Sequence, residues 1–542
     1  MLTEFEELNR IAALASGPES EAAADILPVA PPKAWNHEAD IVIVGGGGAG
    51  LAAACRAADM RRSVIVLEKT SHTGGNAQHA EGAAVYGTKA QARANIKFDR
   101  DALIAQISAT YADTISRPLL TTLIDRGHEF FDWAEDHGFQ WGSWEVFGVP
   151  RLTCADKYPW WEDDPRPGNS RLLTFKPLTD WLRKFADGKG VQTLVSTKVL
   201  ALVEEKGKIL GVKAQTVDGK ELFVKAKLGV VLASGGFTNN RAMLKKYIDG
   251  AAYAVGSTVP PRDTGEVLRM ALGAGADSAG RGTWMGGPGG IPYYDTKYTG
   301  KATPGPWSRY YVSGDAGLAR AFWLELNQVC EEFMPFNNLA MQLPAAAVYL
   351  AQPGHCGYAI FDADFPTTLF KWGPYLGRRP LQESDAVDPA FDFGIASHNW
   401  LDDVKKGIEW GGIKTSDTIV GLAKELGLDA GKLTKAVEAW NAKSSTGQMD
   451  EWGRPPEFQP PVKKAPYYGI KTGVAAVGTF FGARVNENFQ VLDVDQNPIP
   501  GLYAAGETAG GSAGELRPQF GVLSCLGYGL ASGFIAGETA RA

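Results

Sequence analysis

Arg517 lies in GELRPQFGVLSCLGYG (514–529), a polar turn running into an apolar stretch that predicts a buried helix. A guanidinium in such a turn can pair bidentately with a carboxylate or stabilise an enolate oxygen. Its pKa above about 12 makes it a poor base near neutrality. Far upstream, Gly45-x-Gly47-x-x-Gly50 is followed by Glu68, the spacing of a phosphate-cradling turn with a ribose-binding acid. Gly45 permits the tight turn, Gly47 lets backbone approach a pyrophosphate, and Gly50 lets helix and strand pack closely. A stretch dense in Tyr and Trp, YYDTKYTGKATPGPWSRYYVSG (293–314), contains Tyr310 and Tyr311, aromatics suited to a pocket wall.

The elements that must hold these residues follow from the surrounding pattern. In DIVIVGGGGAGLAAACRAADMRRSVIVLEK the periodicity predicts a strand at 40–44, an Ala-rich helix at 49–60 and a strand at 63–67 ending at Glu68. The helix N-terminus offers unpaired N–H groups to phosphates. KTSHTGGNAQHAEGAA (69–84) puts Gly74-Gly75 directly after the acid, where backbone can run beside the rest of a flavin cofactor; this favours FAD over NAD. His72 and His79 in that loop read as hydrogen-bonding loop residues. Residues 190–235 predict a β-meander ending in an apolar strand and Gly235-Gly236, and NPIPGLYAAGET predicts a strand at 502–505 meeting Gly506-Glu507. TSDTIVGLAKELGLDAGKLTKAVEAWNA predicts a helical pair around a Gly turn. Residues 3–15 predict a short amphipathic helix, followed by a linker rich in Pro and Ala.

Composition narrows the class. The 542 residues are several times a typical single domain, so two or more domains are expected. The net charge of −7 gives no support to nucleic-acid binding, which would show a basic surplus. Cys55, Cys154, Cys330, Cys356 and Cys525 stand far apart with no CxxC or CxxCH, so there is no case for a zinc ribbon, another metal site or attached haem. A reduced, cytoplasmic setting fits that usage. The acidic start MLTEFEELNR is unlike a signal peptide, and no run of about 18 apolar residues predicts a membrane span. Nothing in the sequence speaks to oligomeric state.

GGGGAG with Glu68, GGN, VVLASGGF with Met243 and Tyr247 behind it, TGEVLRMALGAGA (264–276) and PIPGLYAAGE together resemble the flavoprotein superfamily of fumarate reductases, succinate dehydrogenases and 3-ketosteroid Δ1-dehydrogenases. The blocks span residues 39–537 in the family's order. The resemblance implies FAD and an α/β fold: a Rossmann-type FAD-binding domain with an inserted α+β capping domain. It divides the chain into an N-terminal extension and linker (1–38), a first part of the FAD-binding domain (39–283), the cap (284–443) and a second part (444–542). It assigns cofactor contacts to Gly45, Gly47, Gly48, Ala49, Gly50, Glu68, Lys69, Gly74, Gly75, Asn76, Val199, Ser234, Gly235, Gly506, Glu507, Val522 and Leu523. The N–H groups of Val522 and Leu523 are expected to open the following helix and face the flavin N1/O2 edge. Covalent members carry a His where NAQHAEG places Asn76, so the FAD is expected to be non-covalent.

The family's chemistry passes hydride between flavin N5 and a substrate carbon, and a proton to or from the neighbouring carbon, beside a carbonyl or carboxylate. Fumarate reductases place an Arg donor, and steroid dehydrogenases a Tyr, where CEEFMPF places Phe336, which can only line the substrate. Fumarate reductases carry His-His-Thr where GVAAVGTFFGARV (473–485) has Thr479 but no His. Arg517-Pro518-Gln519-Phe520-Gly521 has the Tyr-Pro-x-x-Gly spacing of steroid dehydrogenases with the Arg of fumarate reductases. Arg517 is therefore expected to orient substrate and stabilise charge, with Gly521 beside it; pairing with Glu507 or Glu515 for structure alone is the alternative. DKYPWWED resembles a DYYP-type stretch that supplies an active-site Tyr, which makes Tyr158 a candidate for proton transfer. Tyr311 is a second candidate, and Tyr310 is expected to line the site.

These expectations favour dehydrogenation of a cyclic ketone, steroid or organic acid next to its activating group. The alternatives are an enoate or fumarate-type reductase running the other way and an electron-transfer flavoprotein subunit. No second GxGxxG exists for NAD(P)H, so a quinone or carrier protein is the expected electron partner beside a small-molecule substrate.

Overall fold

The computed structural model describes residues 23–80, 83–93, 95, 97–146, 149–154, 176–248, 256–257, 262–290, 323–334, 347–372, 408, 411–515, 523 and 525–541. The first βαβ unit runs from β1 (His37–Val44) through α1 (Gly48–Asp59) to β2 (Val64–Leu67), as its periodicity predicts. A helix, α2 (Lys176–Gly188), precedes β3 (Gln192–Leu194), β4 (Thr197–Glu205), β5 (Lys208–Thr216) and β6 (Glu221–Leu232), followed later by α3 (Glu266–Gly273). Then come β7 (Trp284–Gly290), β8 (Leu324–Asn327), β9 (Cys356–Phe361), β10 (Ile413–Ser416), α4 (Ile419–Leu426) and α5 (Ala430–Ser444). The chain continues through β11 (Tyr467–Thr479), β12 (Gln490–Leu492), β13 (Pro498–Ala504) and α6 (Cys525–Thr539).

Two sheets organise these elements. The first runs β12-β13-β6-β1-β2-β3, with β4 and β5 attached through β6. Its centre is parallel: Val44 pairs with Leu67 and with Leu232, and Leu232 pairs with Ala504. The C-terminal ends of four strands therefore lie level. Their following loops, at Gly45, Glu68, Ala233 and Ala505, share one edge, where ligands bind in open α/β sheets. These strands are continuous apolar runs because both faces are covered. The second sheet is mostly antiparallel, ordered β7-β11-β9-β8, with β10 and residues 256–257 also paired to β11.

Helix α1 is Ala-rich because it is wedged between the first sheet and α6. A side chain at Gly533 or Gly537 of α6 would overlap the backbone of Ala49 or Ala53. The close approach thus depends on small residues on both helices. The predicted helical pair is α4 and α5. Thr418 Oγ1 accepts the Gly421 N–H at 3.0 Å, Gly427 ends α4 at φ +70°, and Asp429 Oδ1 accepts the Lys432 N–H at 2.7 Å. Leu422, Leu433, Val437 and Trp440 pack this pair on Leu324, Leu326 and Ile360 of the second sheet.

The Pro- and Ala-rich linker lies along the first sheet. The Val29 N–H donates to Leu202 O at 2.9 Å, the Glu204 N–H donates to Val29 O at 3.0 Å, and the Ile26 N–H donates to Arg269 O at 3.0 Å. Among the described residues, no helix is long and apolar enough to cross a membrane.

Candidate cofactor site

The glycine turn between β1 and α1 is held on two sides. Gly45 sits at φ +104°, and a Cβ there would lie 2.6 Å from Ala233 O, the backbone leaving β6. The Gly46 N–H donates to Glu68 Oε2 at 2.8 Å, and the Gly74 N–H donates to Gly46 O at 2.8 Å. Glu68 Oε1 accepts from the Thr70 N–H at 2.8 Å and its hydroxyl at 2.9 Å. The predicted ribose acid thus also ties the turn to the end of β2.

Gly47, Gly48, Gly74 and Gly75 form a cradle without side chains over the N-terminus of α1. A Cβ on Gly75 would lie 2.9 Å from Gly47 Cα, and one on Gly48 would lie 2.7 Å from Ala77 Cβ. A Cβ on Gly47 would meet nothing nearer than 3.9 Å. Gln78 is buried beside Gly74, and its Nε2 has no partner among the described residues. Open space at Gly47, amides at a helix start and a buried spare donor fit a diphosphate-containing cofactor. Asn76 occupies the short 3-10 turn Gly75–His79; Arg262 places Nε 3.4 Å from Asn76 Oδ1 and donates Nη2–H to Gly75 O at 3.1 Å.

The other strand ends complete this edge. Thr508 Oγ1 accepts the Ser234 N–H at 3.1 Å and donates to Gly235 O at 3.0 Å, joining the loops after β6 and β13. Gly506 lies against Ala49, a Cβ there being 3.1 Å from Ala49 Cβ, and its N–H donates to Ser532 Oγ at 2.9 Å. Thr479 ends β11, and its Oγ1 accepts the Phe237 N–H at 3.2 Å, next to Gly236. Lys69 and Val199 lie towards α3. Lys69 Nζ donates to Thr264 Oγ1 at 2.8 Å and pairs with Glu266 at 3.3 Å, while Val199 is buried in β4 just before a bulge. Burial opposes the charge of Glu266, but Lys69, Lys198 and the Thr264 hydroxyl hold its carboxyl well below the usual carboxylate range.

Two nearby acids shift the other way from Glu266. Asp263 is buried, which raises its pKa against the pull of Thr238 and Lys69. Glu507 lies deep in the molecule while part of its surface stays accessible. Burial, and then the charge of Asp263, push its carboxyl well above the usual range.

The structure brings together Gly45, Gly47, Gly48, Ala49, Gly50, Glu68, Gly74, Gly75, Asn76, Ser234, Gly235, Gly506 and Glu507. The helix after the Arg517 turn begins at Cys525, two residues beyond Leu523, so Leu523 does not open it. Leu523 is buried and packs towards Gly127. Tyr158, Tyr310, Tyr311, Phe336, Arg517, Gly521 and Val522, and the side chain of His79, lie outside the described residues. Glu515, one suggested partner for Arg517, accepts the Gly280 N–H at 2.9 Å and the Arg281 N–H at 2.5 Å. Arg262, Asp263, Gln78 and Thr508 were not foreseen. The only sequence signal for the first two is a charged pair just before TGEV.

The FAD binding domain family matches residues 40–522. The chain belongs to that family. It is an FAD-dependent oxidoreductase with a Rossmann-type fold. It is 28% identical over 517 residues to a vinyl phenol reductase of Lactiplantibacillus plantarum, covering 92% of this chain and 96% of that one. It is 25% identical to an NADH:fumarate oxidoreductase of Klebsiella pneumoniae, covering 93% of this chain but only 48% of that longer protein. Among solved structures, the open form of a flavocytochrome c3 fumarate reductase superposes with a TM-score of 0.66 at 21% identity, over 93% of this chain and 79% of that one. A 3-ketosteroid Δ1-dehydrogenase from Sterolibacterium denitrificans gives 0.65 at 19%, over 93% and 99%.

Proposed function

We propose that the enzyme reduces a C=C bond conjugated to an uncharged activating group, such as an enone carbonyl or a phenol ring. FAD held by the glycine cradle, without a covalent link at Asn76, supplies the hydride-carrying ring. The observation that carries this assignment is the end of β11. Where fumarate reductases carry His-His-Thr, this strand has Val477-Gly478-Thr479. A Cβ on Gly478 would overlap Glu507 Oε1, so the buried neighbour of that position is an acid and not a carboxylate-binding group. Taking a substrate carboxylate out of water beside two buried acids is unfavourable. The similarity to a vinyl phenol reductase of almost the same length supports both the reducing direction and an uncharged substrate.

Arg517 binds the oxygen of the activating group and stabilises the charge that develops there. Tyr158 and Tyr311 are the candidates to deliver the proton to the second carbon. Tyr310, Phe336, Thr479 and Gly521 line the substrate space beneath a cap of residues 284–443. Electrons reach the enzyme from a separate quinone or carrier protein. The NADH-linked relative is covered over about half its length, so its electron donor does not transfer to this chain.

The test is anaerobic. The enzyme is reduced chemically, then mixed with 4-vinylphenol, a cyclic enone or fumarate, and return of the oxidised flavin absorbance is followed. One of the uncharged substrates should reoxidise it at least about tenfold faster than fumarate, a difference of roughly 1.4 kcal/mol in barrier. Equal or faster reoxidation by fumarate would sink the assignment.

A further inference from the structure

Arg262, Asp263 and Thr264 lie consecutively ahead of α3 and reach in two directions. Arg262 places Nε 3.4 Å from Asn76 Oδ1 and donates Nη2–H to Gly75 O at 3.1 Å, and Thr264 Oγ1 accepts from Lys69 Nζ at 2.8 Å. Lys69 opens the loop after β2, and Gly75 and Asn76 lie further along it. Between these two arms, Asp263 serves the loop after β6. Its Oδ2 accepts the Thr238 N–H at 3.1 Å and the Thr238 hydroxyl at 2.7 Å, and its backbone oxygen accepts the Asn239 N–H at 2.9 Å. On the same side, Asn240 Nδ2 donates to Thr264 O at 3.0 Å.

Strands β2 and β6 flank β1 on opposite sides, so their loops begin two strand spacings apart, roughly 9.5 Å, with the glycine turn between them. Ladder bonds fix that separation as far as the strand ends at Leu67 and Leu232. Beyond those ends, residues 262–264 bind both loops at once. Gly74 and Gly75 take φ +122° and +55° in a stretch with no side chain to pack, so the bond from Arg262 to Gly75 O is what fixes Gly75 opposite Gly47. The guanidinium is buried, and its bonds to the loop help to offset the cost of taking that charge out of water.

We propose that residues 262–264 form a clasp that sets the width of the cofactor cradle, and that Arg262 is the positioning residue through which the clasp tightens the hold on FAD. It acts through Gly75 and Asn76, which it keeps against the glycine turn, while Asp263 anchors the segment to the loop on the other side. Tight binding then needs both arms together: with either arm released, the other has nothing to pull against. This inference rests on the cradle holding FAD and is independent of the reaction proposed above.

The experiment uses the full FAD-loaded chain, native and as Arg262→Lys, Thr238→Val and the double variant. Flavin fluorescence on dilution gives the FAD dissociation constant of each. Arg262→Lys cannot fork to both acceptors, and Thr238→Val removes the hydroxyl donor to Asp263. Arg262→Lys should weaken FAD binding about tenfold and Thr238→Val about threefold, as expected for lost bonds to a charged group and for one arm of the clasp. The double variant should be no weaker than about tenfold, because an opened clasp cannot be opened again; independent effects would multiply to about thirtyfold. At saturating FAD, the visible circular dichroism of the bound flavin should change in the same way in all three variants. A native dissociation constant in either single variant, effects that multiply, or a native flavin spectrum in all three would overturn the clasp. Neither readout involves a substrate, so failure here is distinguishable from failure of the proposed reaction.

Discussion

Glu68 and Glu507 follow parallel strands of one sheet and border one cradle, yet their surroundings serve them differently. Glu68 receives three donors from the Gly46 amide and from the amide and hydroxyl of Thr70. At Glu507, burial and then the charge of Asp263 oppose ionisation, and the carboxyl lies behind the wall at Gly478. The Glu68 end fixes its carboxyl oxygens on donors, next to amides that also suit the cofactor's sugar and phosphates. The Glu507 end favours a neutral acid and borders the strand that carries Thr479. Position after a strand therefore marks an acid as belonging to the site, while burial and neighbouring charge oppose ionisation at Glu507.

The sharpest break between the two ends is Arg517→Ala. Turnover of an uncharged substrate should fall by about 10²–10³ with FAD still bound, since the lost guanidinium acts on charge developing in the substrate. Loss of FAD together with activity would move Arg517 to the cofactor end. Next is Glu68→Ala, which strands the Gly46 and Thr70 amides. Urea unfolding of the FAD-free variant should show a loss of roughly 2–3 kcal/mol, as expected for buried donors without acceptors. An unchanged midpoint would show that Glu68 does not brace the turn.

A third test asks whether burial also governs charge away from the site. Glu325, on β8, is buried and accepts from the Tyr349 hydroxyl at 2.7 Å and from the Thr472 hydroxyl. Burial outweighs these bonds and the field of Arg454, and pushes its carboxyl up to about 7. The folded state thus prefers the protonated acid. Its contribution is complete below the ordinary carboxylate range and is lost as pH climbs towards about 7, at most about 3 kcal/mol by linkage. Glu325→Gln should remove that decline relative to the native chain when unfolding midpoints are compared at pH 5 and pH 7.5. Parallel pH profiles would contradict it.

Much of this architecture was legible in the residues. Strands, the glycine turn, Gly506-Glu507 and the α4–α5 pair rest on short-range rules: apolar periodicity, helix caps and residues that tolerate tight turns. What escaped depends on chain ends that meet only in space. Arg262 reaches back to Gly75 and Asn76, and Asp263 to Thr238, although neither has a local pattern announcing a partner. Leu523 was expected at the opening of α6, which runs from Cys525. Gly478 could be seen to lack an imidazole, but not that Glu507 fills the space behind it.

The contact between α1 and α6 also has a consequence for biosynthesis. Arg56 on α1 finds its partner Glu538 on α6 482 residues further along the chain. The ribosome emits the phosphate turn long before the helix that covers α1. Until then the alanine face of α1 has no cover, and the loop at Gly506 that closes the cradle has not been made. Flavin insertion is thereby deferred until α6 has been made, and α1 waits for its cover while the intervening residues are synthesised.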